Sequence, residues 1–428
     1  MRPILLLLML NLHLISFAQA DDLEQWGLEL RMEDHAYYPG IQTVFLYKLG
    51  DPRSFPAIRL GSGERLQLEF DDLLAQGTTF NYTVIHCNAD WSKSDLNPSE
   101  YLYGYQNYYL TDFDFSFNTF MPYTHYRLTF PNEEMRFTKS GNYLLVIYED
   151  DPQYPLLTRR FVVYEDFVRA GGEVRRPNRV EYRDTHQEVD FFLSHGGYDI
   201  PDPFNNFQIS LLQNQQWNSA LNHLQPRFLQ NGRMDYNYDF ENLFPGQNEW
   251  RNFDTKDERN LSMNVRRIEL DTLFTYFLQT DLARSISRYS TEFDINGQRV
   301  IRVTGKEQPS IEADYVWVDF ELAAEQADNK ANYYVFGALS DWKILPRFRM
   351  RYDYNKGVYR ARILLKQGYY NYMYVSVDDA SSSPNFEPIE GAHWETENDY
   401  QLIMYHREIG IRYDRVVGFA VFSSQDLY

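Results

Sequence analysis

Apolar and polar positions alternate with a period of two over much of the chain, in short runs separated by turn residues. That period places successive side chains on opposite faces of a strand. Runs rich in Tyr, Phe and Val at residues 82–86, 124–130, 143–149 and 160–164 fit a pleated, half-buried surface. Asn97-Pro98, Met121-Pro122, Pro131-Asn132, Ser140-Gly141-Asn142 and Asp151-Pro152 punctuate them. In the run 143–149, Tyr143, Leu145 and Ile147 point one way and Leu144, Val146 and Tyr148 the other. Both faces are apolar, so this strand is expected inside a sandwich with little of either face wet. Residues 26–32, 42–49 and 65–70 add strands upstream, with Tyr38-Pro39-Gly40 and Gly61-Ser62-Gly63 as turns.

Downstream, residues 166–180 read as a connection broken by Gly171-Gly172 and Arg175-Arg176-Pro177. Strands are then expected at 187–194, 206–213, 235–240, 263–271 and 298–303. The piece 273–285 fits a strand or, with Phe274, Phe277, Leu278 and Leu282 on one face, a helix. The last part is strongly patterned, at 314–322, 332–337, 357–365, 368–375, 401–405 and 415–422, and Ala380 with Ser381, Ser382, Ser383 and Pro384 reads as a loop. The expected fold class is all-β, in tandem immunoglobulin-like β-sandwich domains. The expected division is a signal peptide over 1–20, an N-terminal sandwich over 21–165, a middle β-rich domain over 166–310 and a C-terminal sandwich over 311–428.

A chain of 428 residues is too long for one β-domain and suits two or three. The segment 1–20 has a positive Arg2, an apolar stretch and Ala18-Gln19-Ala20, the pattern of an export signal. The formal charge of −20 argues against a nucleic-acid partner and against unaided binding to an anionic membrane. One cysteine, Cys87, allows no internal disulfide, and its place in a β-run favours burial. The 35 tyrosines exceed what a core needs, so many are expected at edges and surfaces, where Tyr suits protein or glycan contacts.

Candidate chemistry is sparse. His86, Asp90 and His125 match no zinc spacing, and His86 in an alternating strand reads as a hydrogen-bonded sheet residue. The pairs Asp71-Asp72 and Asp150-Asp151 lack the spacing of a calcium loop. Arg159-Arg160 is a basic spot that could clamp a carboxylate or pair across a sandwich edge. No nucleophile elbow, phosphate loop or dinucleotide fingerprint is present, so no catalytic residue and no cofactor is expected. Asp271-Thr272-Leu273 has the form of a short O-glycosylation site.

Several motifs in order carry a resemblance. They are His86-Cys87-Asn88-Ala89-Asp90-Trp91, Glu100-Tyr101-Leu102 with Gly104, Ser116-Phe117-Asn118-Thr119 and Tyr123-Thr124-His125-Tyr126. Phe130-Pro131-Asn132, Ser140-Gly141-Asn142-Tyr143 and Thr158-Arg159-Arg160-Phe161 follow. Gln213-Asn214 with Trp217, and Asn248-Glu249-Trp250-Arg251, lie further on. Together they resemble the plug protein family of the type IX secretion system of Bacteroidota. The resemblance implies a non-enzymatic periplasmic protein, peripheral to the outer membrane. It would dock on the periplasmic opening of the translocon barrel and seal it when no cargo is present, without inserting in the membrane and as a monomer on its own.

The final sandwich is similar to an early-set immunoglobulin domain of the kind that binds starch and glycogen. Val335-Phe336-Gly337, Trp342, Gly357, Gly368 and the row Tyr370, Tyr372, Tyr374 carry that likeness. It implies an alternative function, a periplasmic glycan-binding protein. For the first reading, the aromatic-rich stretch after Trp91 supplies the docking residues: Trp91, Tyr101, Tyr103, Tyr105 and Tyr108. Phe113, Phe115 and Phe117 alternate with Asp112, Asp114 and Ser116 and are expected to pack inward. The mature chain is expected to begin at Asp21 and to be held at the outer membrane only through its partner. N-terminal sequencing of the exported protein checks the first point, and release from membranes by carbonate washing checks the second.

Overall fold

The computed structural model describes residues 29–427 except 223, 325, 327–330 and 379–382. The expected signal at 1–20, residues 26–28 of the first expected strand and residues 380–382 of the expected loop lie outside these. Residues 29–32 form no strand. The chain first joins a sheet at β1 (His35–Ala36).

Eleven more strands complete a first sandwich: β2 (Ile41–Lys48), β3 (Ala57–Arg59), β4 (Leu66–Asp72), β5 (Phe80–Cys87), β6 (Leu102–Gly104), β7 (Tyr108–Leu110), β8 (Phe113–Phe115), β9 (Thr124–Phe130), β10 (Met135–Phe137), β11 (Gly141–Tyr148) and β12 (Leu157–Tyr164). One sheet runs β1-β12-β11-β5-β7, with β3 parallel to β12, and the facing sheet runs β2-β4-β9-β8. The alternation read in the sequence decides which side chains meet. Leu66, Leu68 and Phe70 of β4 face Tyr143, Leu145 and Ile147 of β11 in one apolar core.

The rest of the chain departs from the expected division. β13 (Arg169–Arg175) forms where a connection was expected; Gly171 and Gly172 let it lie tightly over β14 (His186–Ser194), since a Cβ on Gly171 would stand 2.6 Å from the Phe192 ring. β15 (Phe207–Gln213), β16 (Phe228–Gln230), β17 (Arg233–Tyr236) and β18 (Leu243–Pro245) follow. Then come β19 (Arg251–Asp254), β20 (Val265–Leu270), β21 (Phe274–Leu278), β22 (Arg299–Ile301), β23 (Tyr315–Ala323), β24 (Ala331–Phe336), β25 (Arg351–Asp353), β26 (Val358–Lys366) and β27 (Gly368–Asp378). The last two are β28 (Asp399–His406) and β29 (Arg415–Ser423). Of the two readings of 273–285, the strand is present, as β21, and an irregular segment follows it. Thr272 is exposed in the turn between β20 and β21.

β15 pairs with β28 from Phe207↔His406 to Gln213↔Tyr400, and β28 pairs with β29. Their apolar faces pack on Val189, Phe191 and Leu193 of β14. β19 to β27 build a separate sandwich around Phe253, Tyr276, Val318, Phe320 and Tyr372. The third sandwich is therefore inserted into the second, and the expected cut between 310 and 311 falls inside the insertion. Strand periodicity carries no information about which distant strand a ladder will pair with, which is why a sequential division was expected.

Three interfaces lock the units together. On the outer face of β11, Leu144, Val146 and Tyr148 pack with Cys87, Trp91 and Trp217. Beside them, Val162 meets Leu212, Ile403, Tyr405 and Val416 of the second sandwich. The sheet containing β11 is thus a middle layer, as its two apolar faces required. Between first and third sandwiches, the fully buried Asp71 accepts from Lys366 Nζ at 2.6 Å, the Tyr315 hydroxyl at 2.7 Å and His125 Nδ1 at 2.7 Å. Burial pushes the Asp71 carboxyl up, but Lys366 and His125 outweigh that and hold it below the ordinary carboxylate range. Arg159 adds a second pair, to Asp341 at 2.9 Å.

The third interface is the joint at Asn248–Arg251, where the insertion begins. Glu390, fully buried, accepts from Arg251 Nε at 3.0 Å and Arg284 Nε at 2.6 Å. Glu249 accepts from the Tyr289 hydroxyl, and its other oxygen, buried, has no hydrogen-bond partner. Burial, with Asp294 close by, pushes the Glu249 carboxyl up to about 7.

Two outcomes follow from these joints. Lys366→Ala strands the Asp71 charge and is expected to cost about 3–5 kcal/mol of stability, read by denaturant unfolding. For Glu249 the folded form holds its proton more tightly than the unfolded chain. Its contribution is therefore present below the ordinary value of 4.5 and lost as pH rises to about 7. Melting temperatures at pH 5 and pH 8 should differ more for the parent than for Glu249→Gln.

Candidate docking surface

The five residues expected to dock do not lie together on the surface. Trp91 is 9% exposed, in a left-handed turn (φ 65°), with its ring edge-on to Trp217 at 4.9 Å. The Arg160 guanidinium lies over both rings, at 5.2 and 5.0 Å, and Arg160 Nε reaches Asp34 at 3.0 Å. Tyr101 is buried beside His86 and Tyr143 and donates to the Val84 carbonyl at 3.2 Å. Tyr108 is buried, stacked on Tyr82, and donates to the Glu134 carbonyl at 2.7 Å. Only Tyr103 and Tyr105 are exposed, Tyr103 beneath the Arg136 guanidinium. A ring with a buried partner for its hydroxyl is a core ring, and no local sequence pattern separates it from its exposed neighbours.

Between Trp91 and Phe120 the exposed rings are Tyr103, Tyr105, Tyr109, Phe115, Phe117 and Phe120. Tyr105 and Tyr109 are 75% and 74% exposed, and Phe117 is 66% exposed. The inward packing expected for Phe113, Phe115 and Phe117 holds for Phe113 alone, which lies against Tyr126 at 5.4 Å. β8 is the last strand of its sheet, so Phe115 passes beyond the rim of the core and lies across Gly77, while Phe117 has left the strand.

Tyr109 and Phe115 lie on the two strands that end the sheets of the first sandwich, Tyr103 lies on β6, paired with β10, and Tyr105 lies in the loop between β6 and β7. β7 ends one sheet, β8 ends the other, and only Thr111 and Asp112 join them. The following loop is anchored rather than free. Phe117 N–H donates to the Ile311 carbonyl at 2.8 Å, Phe120 N–H to Asp314 at 2.5 Å, and the Phe120 ring meets Phe274 at 5.4 Å. Beside the rings, Arg127 Nη2 is shared by Asp112 at 2.9 Å and Asp114 at 2.6 Å. Two exposed carboxylates with one guanidinium leave the edge with a net negative charge.

The other candidate groups are internal. His86 is held between the Ser94 hydroxyl and the Ser140 carbonyl, and burial lowers its pKa to about 4. Cys87 is buried and its thiol is pushed up to about 12, mainly by that burial. Among the described residues no three His, Cys, Asp or Glu side chains form a group that could hold a metal ion. No described helix is long and apolar enough to cross a membrane. Tyr370, Tyr372 and Tyr374, the row behind the glycan reading, are buried in the third core.

Residues 41–165, the body of the first sandwich, match the family model described as the type 9 secretion system plug protein 1st domain. A solved structure, a hypothetical protein from Parabacteroides merdae ATCC 43184, is 31% identical, covers 92% of this chain and 100% of its own, and superposes with a TM-score of 0.88. The chain belongs to the type 9 secretion system plug family. An adhesin from Escherichia coli, FdeC, is 9% identical over 40% of this chain and 46% of its own, and its TM-score of 0.16 carries no argument. No curated protein matches the sequence.

Membership gives the motifs a physical reading. Trp91, Trp217 and Arg160 come from three motifs far apart in the chain and close on one another between the first and second sandwiches. Glu249 and Arg251, from a fourth, lie where the insertion begins. The motifs that carry the resemblance thus sit at joints between the sandwiches. Trp91→Ala is expected to destabilise the fold by about 3–5 kcal/mol, as loss of a large core ring does; denaturant unfolding of the variant checks this.

Proposed function

We propose that this chain closes the outer-membrane barrel of the type IX secretion system from the periplasmic side when no cargo occupies it. The observation that carries this reading is the series of exposed rings from Tyr103 to Phe117 at and beside the open edge of the first sandwich, within the segment that matches the plug model. Solvent-exposed aromatic rings held by a fixed scaffold are the usual anchors of a protein interface. Affinity then rests on a few rings rather than on area, which suits a seal that arriving cargo must displace. The body behind the edge suits it too, because apolar contacts and buried ion pairs tie the three cores into one block. The role asks for no catalysis, in keeping with a family of secretion components.

The test is capture of the barrel from solubilised outer membranes by the tagged mature chain. Tyr105→Ala and Tyr109→Ala are each expected to weaken capture by about 1–3 kcal/mol, with melting temperature unchanged because neither ring lies in a core. Capture by the double variant at the parent's level would overturn the assignment of this edge.

A further inference from the structure

The register of β8 fixes which of its backbone groups face outward. Phe113, Asp114 and Phe115 stand opposite Tyr126, His125 and Thr124 of β9. On either side of this ladder, Arg127 N–H donates to the Asp112 carbonyl at 2.9 Å, and Ser116 N–H to the Tyr123 carbonyl at 2.8 Å. Hydrogen-bonded pairs alternate along an antiparallel ladder. Residues 112, 114 and 116 therefore turn their peptide groups toward β9, and Phe113 and Phe115 turn theirs away. Among the described residues no group bonds to the N–H or C=O of either phenylalanine. The next outward N–H, that of Phe117, is already taken by the Ile311 carbonyl of the third sandwich. The outward row thus accepts backbone from elsewhere at one end and is open over the rest.

We propose that this edge receives an extended segment of the docking partner as a fifth strand beside β8, a segment that alternates apolar and basic residues. The proposal rests on the docking reading above and states its chemistry. Two N–H and two C=O groups are available for the added strand, and strand addition draws its affinity from such main-chain bonds. Side chains of the added strand fall alternately on the two faces of the sheet. On one face they meet the Phe113 and Phe115 rings, which are in edge contact at 5.8 Å. On the other they meet Asp114, which shares Arg127 with Asp112 and leaves a negative charge unpaired. Opposite charges directly across a strand pair stabilise it and like charges oppose it. That is the reason for basic residues in the partner. It is also the reason a second copy of this chain is not the occupant, since two β8 edges would set their aspartates against one another.

Amide hydrogen exchange on the complex of the mature chain with the barrel tests this directly. The Phe113 and Phe115 amides are expected to slow by about tenfold or more on binding, as amides entering a sheet ladder do. Phe115→Pro removes one outward donor and no bond to β9, a substitution that edge strands tolerate. It is expected to weaken capture about three- to tenfold beyond Phe115→Ala, the cost of one hydrogen bond. If a complex still forms that depends on Tyr105 and Tyr109, yet these two amides exchange at their free rates, strand addition is overturned and edge docking stands. If the parent captures no barrel, or the Tyr105 and Tyr109 variants capture it fully, the docking reading fails and the strand proposal with it. If the two amides slow in the chain alone as its concentration rises, the occupant is a second copy, and the proposal is overturned.

Discussion

The whole arrangement depends on one strand having no wet face. β11 gives Tyr143, Leu145 and Ile147 to the core of its own sandwich and Leu144, Val146 and Tyr148 to the joint with the second. A sheet with two apolar faces must be covered on both, so the first sandwich in isolation would leave a large apolar surface in water. On β11 that cover comes from Trp91 and, in the second sandwich, Trp217; on neighbouring β12 it comes from Leu212, Ile403, Tyr405 and Val416, which pack with Val162. Tyr405 fixes the register by donating its hydroxyl to Asn142 at 3.1 Å. Burial of this kind holds the units face to face without specifying lateral position. The Trp91, Trp217 and Arg160 stack and the Asp71–Lys366 pair do specify it, because charge and ring geometry tolerate little sliding.

How much of this could be read beforehand follows from what a local pattern encodes. Alternation marked the strands, and most lie within a few residues of their expected places. The continuous apolar run 143–148 announced a doubly covered strand before any cover was known. Pairing between residues some two hundred positions apart left no local trace, so β15 gave no hint that β28 would be its neighbour. The docking residues failed for a related reason. From 101 to 109 the tyrosines look alike in sequence. What separates Tyr101 and Tyr108 from Tyr105 and Tyr109 is a carbonyl within reach of the hydroxyl, supplied by Val84 of β5 and by Glu134 in the bend before β10. For Phe115 and Phe117 the alternation was real, but the sheet ends there and offers nothing to cover them.

The same contrast separates the joints from the edge. At the joints, charged groups are buried and paired: Glu390 with two arginines, Asp71 with Lys366, Asp341 with Arg159. Truncating either partner of such a pair leaves a stranded charge, so these positions resist change for reasons of architecture. At the edge, the rings and carboxylates face solvent, and little in the fold depends on them. Motifs recognised in the sequence fell mostly in the first class. A signature strong enough to identify a family can thus mark how its parts are assembled, while the contact surface is built from residues with little internal constraint.

The insertion of the third sandwich into the second also sets an order of events during synthesis. β15 leaves the ribosome long before its neighbour β28, with all of the third sandwich emerging in between. The first and third sandwiches can each gather their strands as these appear. The second cannot close, and Val162 on the outer face of β12 cannot be covered by Ile403, Tyr405 and Val416, until β28 and β29 are free. Long-range closure of this kind is slow, and unpaired strands left waiting are prone to aggregate. A nascent chain must therefore stay protected until β29 has emerged, and a product cut short before β28 would present both the edge of β15 and the bare side of β12 to the quality-control proteases of its compartment.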